Sequence, residues 1–290
     1  MQRRLILAAL SLLMSGFFLT PVAHAAEVTK ERGLLISPVR DYIAMDAGES
    51  KTQNVTVANM TTKPIVVTMS IEQFSVADYV YDYQFSEPKN DYVRLVENRI
   101  ELKPFEGRQV PYTVTLPKDA APGGEYYTFF ASTQLADGSL SGTVRAASLL
   151  YLTVKGDLVQ TGEIVGSSIP WIVFTSKVPY TIDIKNTGNV HYFANFTGSV
   201  AGAFYNSSPP GTSQLLMPDT TRRVTGSVPA PLLPGVYKLD YGYKTDSGET
   251  VQRSHHFLFL PPWFIAFAFV ASFVFGRRYL NRRDQKSTDS

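Results

Sequence analysis

From residue 27 onward, apolar and polar positions alternate in short runs, and no sustained 3.6-residue period appears. Val55 and Val57 share one face of the 53–59 run, and 65–71 is rich in β-branched residues. Val110, Tyr112, Val114 and Leu116 alternate with Pro111, Thr113 and Thr115, and the runs 125–135 and 146–154 follow. A period of two with β-branched and aromatic enrichment predicts strands with one buried face. Turn chemistry separates these runs: Asp46-Ala47-Gly48-Glu49, the polar stretch 60–64, Phe105-Glu106-Gly107, the Pro- and Gly-containing 117–124, and Asp137-Gly138. Pro111 lacks an N–H, which predicts an edge strand or an irregular start there. About seven strands in about 120 residues is the spacing of a β-sandwich.

A second unit repeats this plan after residue 156. Ile182 and Ile184 point one way in 180–185, Asn186-Thr187-Gly188-Asn189 turns the chain, and 190–200 continues as a strand. In 236–243, Tyr237, Leu239, Tyr241 and Tyr243 oppose Val236, Lys238 and Asp240, and Asp246-Ser247-Gly248 leads into a last strand. Each unit has a strand ending in Asn before a turn, at Asn59 and at Asn186. Each later has a Pro-Gly step into an aromatic strand, at Pro122-Gly123 and at Pro234-Gly235. The expected fold class is all-β: two tandem immunoglobulin-like β-sandwich domains, 27–156 and 157–260, followed by a single C-terminal transmembrane helix.

The two ends read as addresses. Residues 1–26 have Arg3 and Arg4, an apolar stretch at 5–19 and Ala23-His24-Ala25, the layout of a cleaved signal peptide. Residues 257–275 carry no charge and precede Arg277, Arg278, Arg282, Arg283 and Lys286. The last strand is expected to end at Pro261-Pro262, and a helix over 261–280 to begin there. About 19 residues at about 1.5 Å each reach about 28 Å, near the thickness of a bilayer's hydrocarbon. Trp263 would sit at the outer interface, Arg277 and Arg278 would snorkel, and 281–290 would be a basic cytoplasmic tail. This predicts a single-pass plasma-membrane protein with its sandwiches outside and one helix in the lipid bilayer.

Composition narrows the chemistry. Seven of the 27 Lys and Arg and two of the 25 Asp and Glu belong to these ends, which leaves the middle of the chain 20 against 23 and slightly acidic. A nucleic-acid partner needs a basic face, so none is expected. There is no cysteine and there are four histidines, His24 among them in the signal. No Gly-x-Ser-x-Gly elbow, P-loop or dinucleotide-binding glycine pattern occurs. The sequence therefore predicts no enzyme, no cofactor and no metal. The most distinctive stretch is 78–92. Read as a strand, it puts Tyr79, Tyr81, Tyr83 and Phe85 on one face, with Tyr92 beyond. Such a row is either an aromatic platform for a ligand or partner, or the cover of a sandwich core.

Residues 33–155 resemble the immunoglobulin-like domain of pilus chaperones, through Ile36-Ser37-Pro38-Val39-Arg40, the Gly48 turn, 55–59, Leu102-Lys103-Pro104 and 126–130. The same run and the order of parts also resemble bacterial WxL-interacting proteins, which carry a second sandwich, a membrane helix and a basic tail. The pilus-chaperone resemblance implies an Arg on the first strand and a Lys on the last strand of domain one, holding a subunit's terminal carboxylate. Arg40 matches the Arg, and no Lys stands in 148–152. Two functions follow as expectations. The first is a non-enzymatic, membrane-anchored envelope protein, an adhesin or scaffold that binds cell-wall polymer or an exported surface protein. The alternative is a tethered chaperone that adds a β-strand to exported subunits.

Overall fold

The computed structural model describes residues 33–137 and 140–288, with side chains described outside 135–141 and 279–288. The signal expected at 1–26 lies outside the described residues. The described residues form one compact unit.

Ten strands build the first sandwich: β1 (Leu34–Ser37), β2 (Arg40–Met45), β3 (Ser50–Asn59), β4 (Ile65–Val76), β5 (Tyr83–Ser86), β6 (Val93–Leu95), β7 (Arg99–Leu102), β8 (Gly107–Thr115), β9 (Gly123–Asp137) and β10 (Leu140–Val154). One sheet has the order β1-β3-β8-β6. The other runs β2-β10-β9-β4-β5, with β7 also on β4. The alternation decides which face is inside. Val55, Val57, Val110, Tyr112 and Val114 of the first sheet meet Tyr127, Phe129, Leu150 and Leu152 of the second, all buried. β8 lies between β3 and β6, so the edge position expected from Pro111 is corrected. Pro111 is tolerated there because its carbonyl, and hence its missing N–H, faces Val96 just past the end of β6.

The second sandwich holds β11 (Gly162–Ser168), β12 (Ile172–Val173), β13 (Lys177–Asn186), β14 (Tyr192–Gly202), β15 (Tyr205–Ser207), β16 (Thr212–Leu216), β17 (Thr221–Pro229), β18 (Gly235–Thr245) and β19 (Thr250–Phe259). Its sheets are β11-β13-β17 and β12-β19-β18-β14, the latter finished by β15 and β16. Ile182 and Ile184 face Phe196, Leu239, Tyr243 and Phe257 in its core. The repeated Asn has one role in both units. Asn59 Nδ2 donates to the carbonyls of Lys63 (2.7 Å) and Lys103 (2.9 Å), while its Oδ1 accepts the Thr61 N–H (2.9 Å). Asn186 Nδ2 donates to Val190 (3.0 Å) and Leu216 (3.2 Å), and its Oδ1 accepts the Gly188 N–H (2.8 Å).

The final element, α1 (Pro262–Thr288), corrects the membrane expectation. Among the described residues, no helix is long and apolar enough to cross a membrane. The uncharged run is divided: 257–259 belong to β19, and the helix begins at Pro262 and meets Arg277 after about 15 residues, about 22 Å, against the ~30 Å of a hydrocarbon core. The single-pass plasma-membrane location, the lipid-bilayer partner and the anchoring roles of Trp263, Arg277 and Arg278 are withdrawn with it. Trp263 is an exposed first-turn residue, and Arg277 lies 5.7 Å from the ring centre of Phe273.

Candidate partner-binding site

The 78–92 segment is not one strand. Pairing with β4 is confined to Tyr83–Ser86, where Phe74 faces Phe85 and Val76 faces Tyr83. Tyr79 and Tyr81 have φ of 66° and 62°, a left-handed backbone that ends the alternation before it begins. The aromatic row expected from the sequence therefore splits. Tyr83 and Phe85 stack at 6.3 Å on the open face of the sheet, each 41% exposed. Tyr92 instead packs against the first core. Tyr79 and Tyr81 reach the second sandwich. The Tyr79 N–H donates to the Thr221 carbonyl (2.6 Å), and the Tyr81 hydroxyl accepts the Met217 N–H (2.6 Å). Arg223 covers the Tyr79 ring and Arg222 the Tyr81 ring, the latter at 4.2 Å.

Register lines up a second aromatic row that the sequence did not reveal. Tyr42 on β2 pairs with Tyr151 on β10, and Tyr151 pairs with Tyr126 on β9. Phe74 on β4 touches both Tyr126 and Tyr151, at 5.6 and 5.3 Å. The inner members are covered by Met217 of the second sandwich. Tyr42 stays 46% exposed and stacks on Tyr151 at 4.8 Å. Burial raises the Tyr126 and Tyr151 hydroxyls well above the usual phenol range, so both remain neutral donors. No single-strand pattern contains this row, because each ring comes from a different strand.

Tyr42 and Tyr151 of this row line a cleft of about 360 Å³ between the sandwiches, together with Arg40, Tyr83, Gln214 and Arg222. Arg40 is exposed and its Nη2 reaches the Tyr83 hydroxyl at 3.5 Å. Arg222 is partly buried, donates to the Leu215 carbonyl at 2.6 Å, and its guanidinium pKa is lowered chiefly by burial. Among the described residues, neither arginine forms a salt bridge. Two cations without a carboxylate partner in an aromatic cleft suit an anionic group. Their separation in sequence, and the origin of Arg222 in the second sandwich, hid the pair from sequence reading.

The other open feature is an edge. β9 and β10 pair over their full length, from Leu140↔Asp137 to Val154↔Gly123. On its opposite side β10 pairs in parallel with β2 only from Leu149↔Arg40 to Val154↔Met45. Among the described residues, Leu140–Ser148 therefore has no strand paired to its second side. The Leu149 N–H donates to the Val39 carbonyl at 2.9 Å, toward the β2 side. Backbone direction alternates along a strand, so the N–H and C=O groups of Ser141, Thr143, Arg145 and Ala147 point to the free edge. Arg145 lies over the Phe130 ring at 3.2 Å and pairs with Glu72. Among the described residues, no group of three or more His, Asp and Glu could hold a metal ion.

No family model and no curated protein matches the chain. Similar solved structures include the class 5 fimbriae chaperone CfaA, at 13% identity over 79% of this chain and 99% of that one, with a TM-score of 0.45. The CsuC–CsuE chaperone–tip adhesion subunit complex of archaic Csu pili from Acinetobacter baumannii has 13% identity over 78% and 99%, with a TM-score of 0.40. The complex of Salmonella enterica SafA pilin with the SafB chaperone has 14% identity over 78% and 95%, with a TM-score of 0.36. These comparisons lend no support to the WxL-interacting part of the resemblance.

Proposed function

We propose that this chain is a chaperone that binds exported protein subunits by strand addition along the free edge of β10. The observation that carries this reading is the stretch Leu140–Ser148, which is firmly paired to β9 on one side and open on the other. An open row of N–H and C=O groups on a well-held strand is the requirement for adding a strand from another chain. The reading replaces the anchored adhesin or scaffold for cell-wall polymer, since α1 meets charge before a bilayer's thickness and the open backbone edge suits a protein partner. Arg40 and Arg222 would receive an anionic group of the bound segment, and Tyr42, Tyr83 and Phe85 its apolar side chains.

The backbone provides the test. Thr143→Pro deletes one outward N–H without touching the β9 ladder, and proline is tolerated where the N–H faces solvent. A photo-crosslinking residue at Ala147 should give a discrete adduct with an exported protein in the native cell. Thr143→Pro should abolish that adduct while leaving the thermal melt unchanged. An adduct that persists undiminished in the proline variant would refute strand addition at this edge.

A further inference from the structure

Besides the packing of Met217 on the aromatic row, the two sandwiches touch through two sets of hydrogen bonds. One set pins the 77–82 segment against the residues that lead into β17. Its bonds are Tyr79 N–H to the Thr221 carbonyl, Met217 N–H to the Tyr81 hydroxyl, and that hydroxyl with Thr220 Oγ1 at 3.0 Å. The segment carries two carboxylates: Asp82 is exposed, and Asp78 Oδ1 accepts the Thr221 N–H at 2.7 Å, a bond that an amide oxygen would also accept.

The other set runs through His191, at the mouth of β14. Its backbone N–H donates to the Tyr126 hydroxyl oxygen at 3.0 Å, and its ring Nδ1 lies 3.1 Å from that oxygen. A ring unprotonated at Nδ1 accepts the Tyr126 hydroxyl proton there, and a ring protonated on both nitrogens has no acceptor to offer it. Beside it, the Gly124 N–H donates to the Asn189 carbonyl (2.9 Å) and Asn189 Nδ2 donates to the Pro122 carbonyl (3.1 Å).

The groups around the ring offer no counter-charge. β2 presents Tyr42 at 5.9 Å, with Arg40 at its start, and β10 presents Tyr151 at 5.1 Å. β9 presents Tyr126 at 5.5 Å, and the neighbouring Glu125 carboxylate accepts from Gln73 and Asn90. On its own side, Asp246 is engaged by the Phe193 N–H at 3.0 Å. Burial accordingly lowers the His191 pKa to about 4.

We propose that His191 is an acid-released clasp: protonation of its ring turns Nδ1 from acceptor to donor against Tyr126 and opens the sandwiches about the pinned 77–82 segment. A histidine whose pKa is depressed in the closed form supports that form fully above its free value of about 6.5. The support falls as pH drops from there toward 4. Tyr42, Tyr151 and Arg40 also line the cleft, so opening would reshape the cleft itself. The inference needs only the contact between the sandwiches and stands apart from any chaperone role.

The chain has no cysteine, so Glu101→Cys and Ser208→Cys on opposite sandwiches can carry a pair of spin labels. The distance between them should be single and narrow at pH 7.5. A second population should grow as pH falls, and the closed-to-open ratio should drop on the order of 100-fold by pH 4, with the far-ultraviolet circular dichroism unchanged. His191→Gln should stay closed at pH 4, and Asp78→Asn should respond like the parent. Tyr126→Phe, which removes the hydroxyl, should loosen the contact at every pH and flatten the response. A parent distance that does not change down to pH 4, or a His191→Gln variant that opens like the parent, would overturn the clasp. A flat response in Asp78→Asn would assign the titration to Asp78 instead and overturn it equally.

Discussion

Asn59 and Asn186 show how one side chain can hold a turn that the hydrophobic pattern only brackets. Each is fully buried and satisfies carbonyls on two segments together with an N–H of its own turn. Asn59→Ala or Asn186→Ala would leave these groups without a partner in a dry interior. Either should cost about 2–4 kcal/mol, read by urea unfolding. The same burial removes Asn59 as a sugar acceptor, although Asn59-Met60-Thr61 has the acceptor pattern. Tyr81 and Tyr83, two residues apart, should behave differently. Tyr83→Ala truncates an exposed ring and should leave stability within about 0.5 kcal/mol. Tyr81→Ala removes the bonds to Met217 and Thr220, and a calorimetric scan should then separate into two transitions, one per sandwich. A single unshifted transition in Tyr81→Ala would show that the 77–82 contact does not couple the sandwiches.

At the level of strands, the sequence was legible where burial on one face is strict. β3, β8, β13 and β18 alternate inside and outside as their side chains suggest, because each has core on one side and solvent on the other. The pattern failed at 78–82, where alternate aromatics mimic a strand but two of them take a left-handed backbone and face another domain. It was also silent on the free edge of β10. Whether an edge is open depends on how far β2 extends, which the residues of β10 do not record. The cleft escaped for a related reason, since Arg40, Tyr42, Tyr151 and Arg222 meet only after β2, β10 and the second sandwich are in place. The junction between the sandwiches makes its own prediction at Gly123. Its φ is +149°, and a Cβ there would lie 2.9 Å from the Asn189 carbonyl oxygen. Gly123→Ala should therefore cost about 1–3 kcal/mol and loosen the contact at Asn189, measurable by hydrogen exchange at Gly124.

Across the whole molecule, most of the burial belongs to the sandwiches, and the described side chains of α1 lie largely exposed: Trp263, Phe267, Phe269 and Phe275 are all exposed. Ending the chain after Leu260 should therefore leave the melting temperature of the remainder within a few degrees, because little buried apolar surface is lost. The parallel pairing of β2 with β10 has a consequence for the order in which the molecule comes together. Leu149 sits beside Arg40, and the Ser148 hydroxyl donates to the Pro38 carbonyl at 2.6 Å, a contact between residues 110 apart in sequence. Such a distant pairing carries a high loop-closure cost and comes late in folding. A chain emerging from its N-terminus must hold β2 unpaired until the last strand of the first sandwich has arrived. From the moment β10 pairs with β9 until β2 docks, the entire length of β10, and not its first nine residues alone, is an open edge. The newly made protein is thus most prone to pair with its own copies just before β2 docks, and its yield should fall with the concentration of chains folding together.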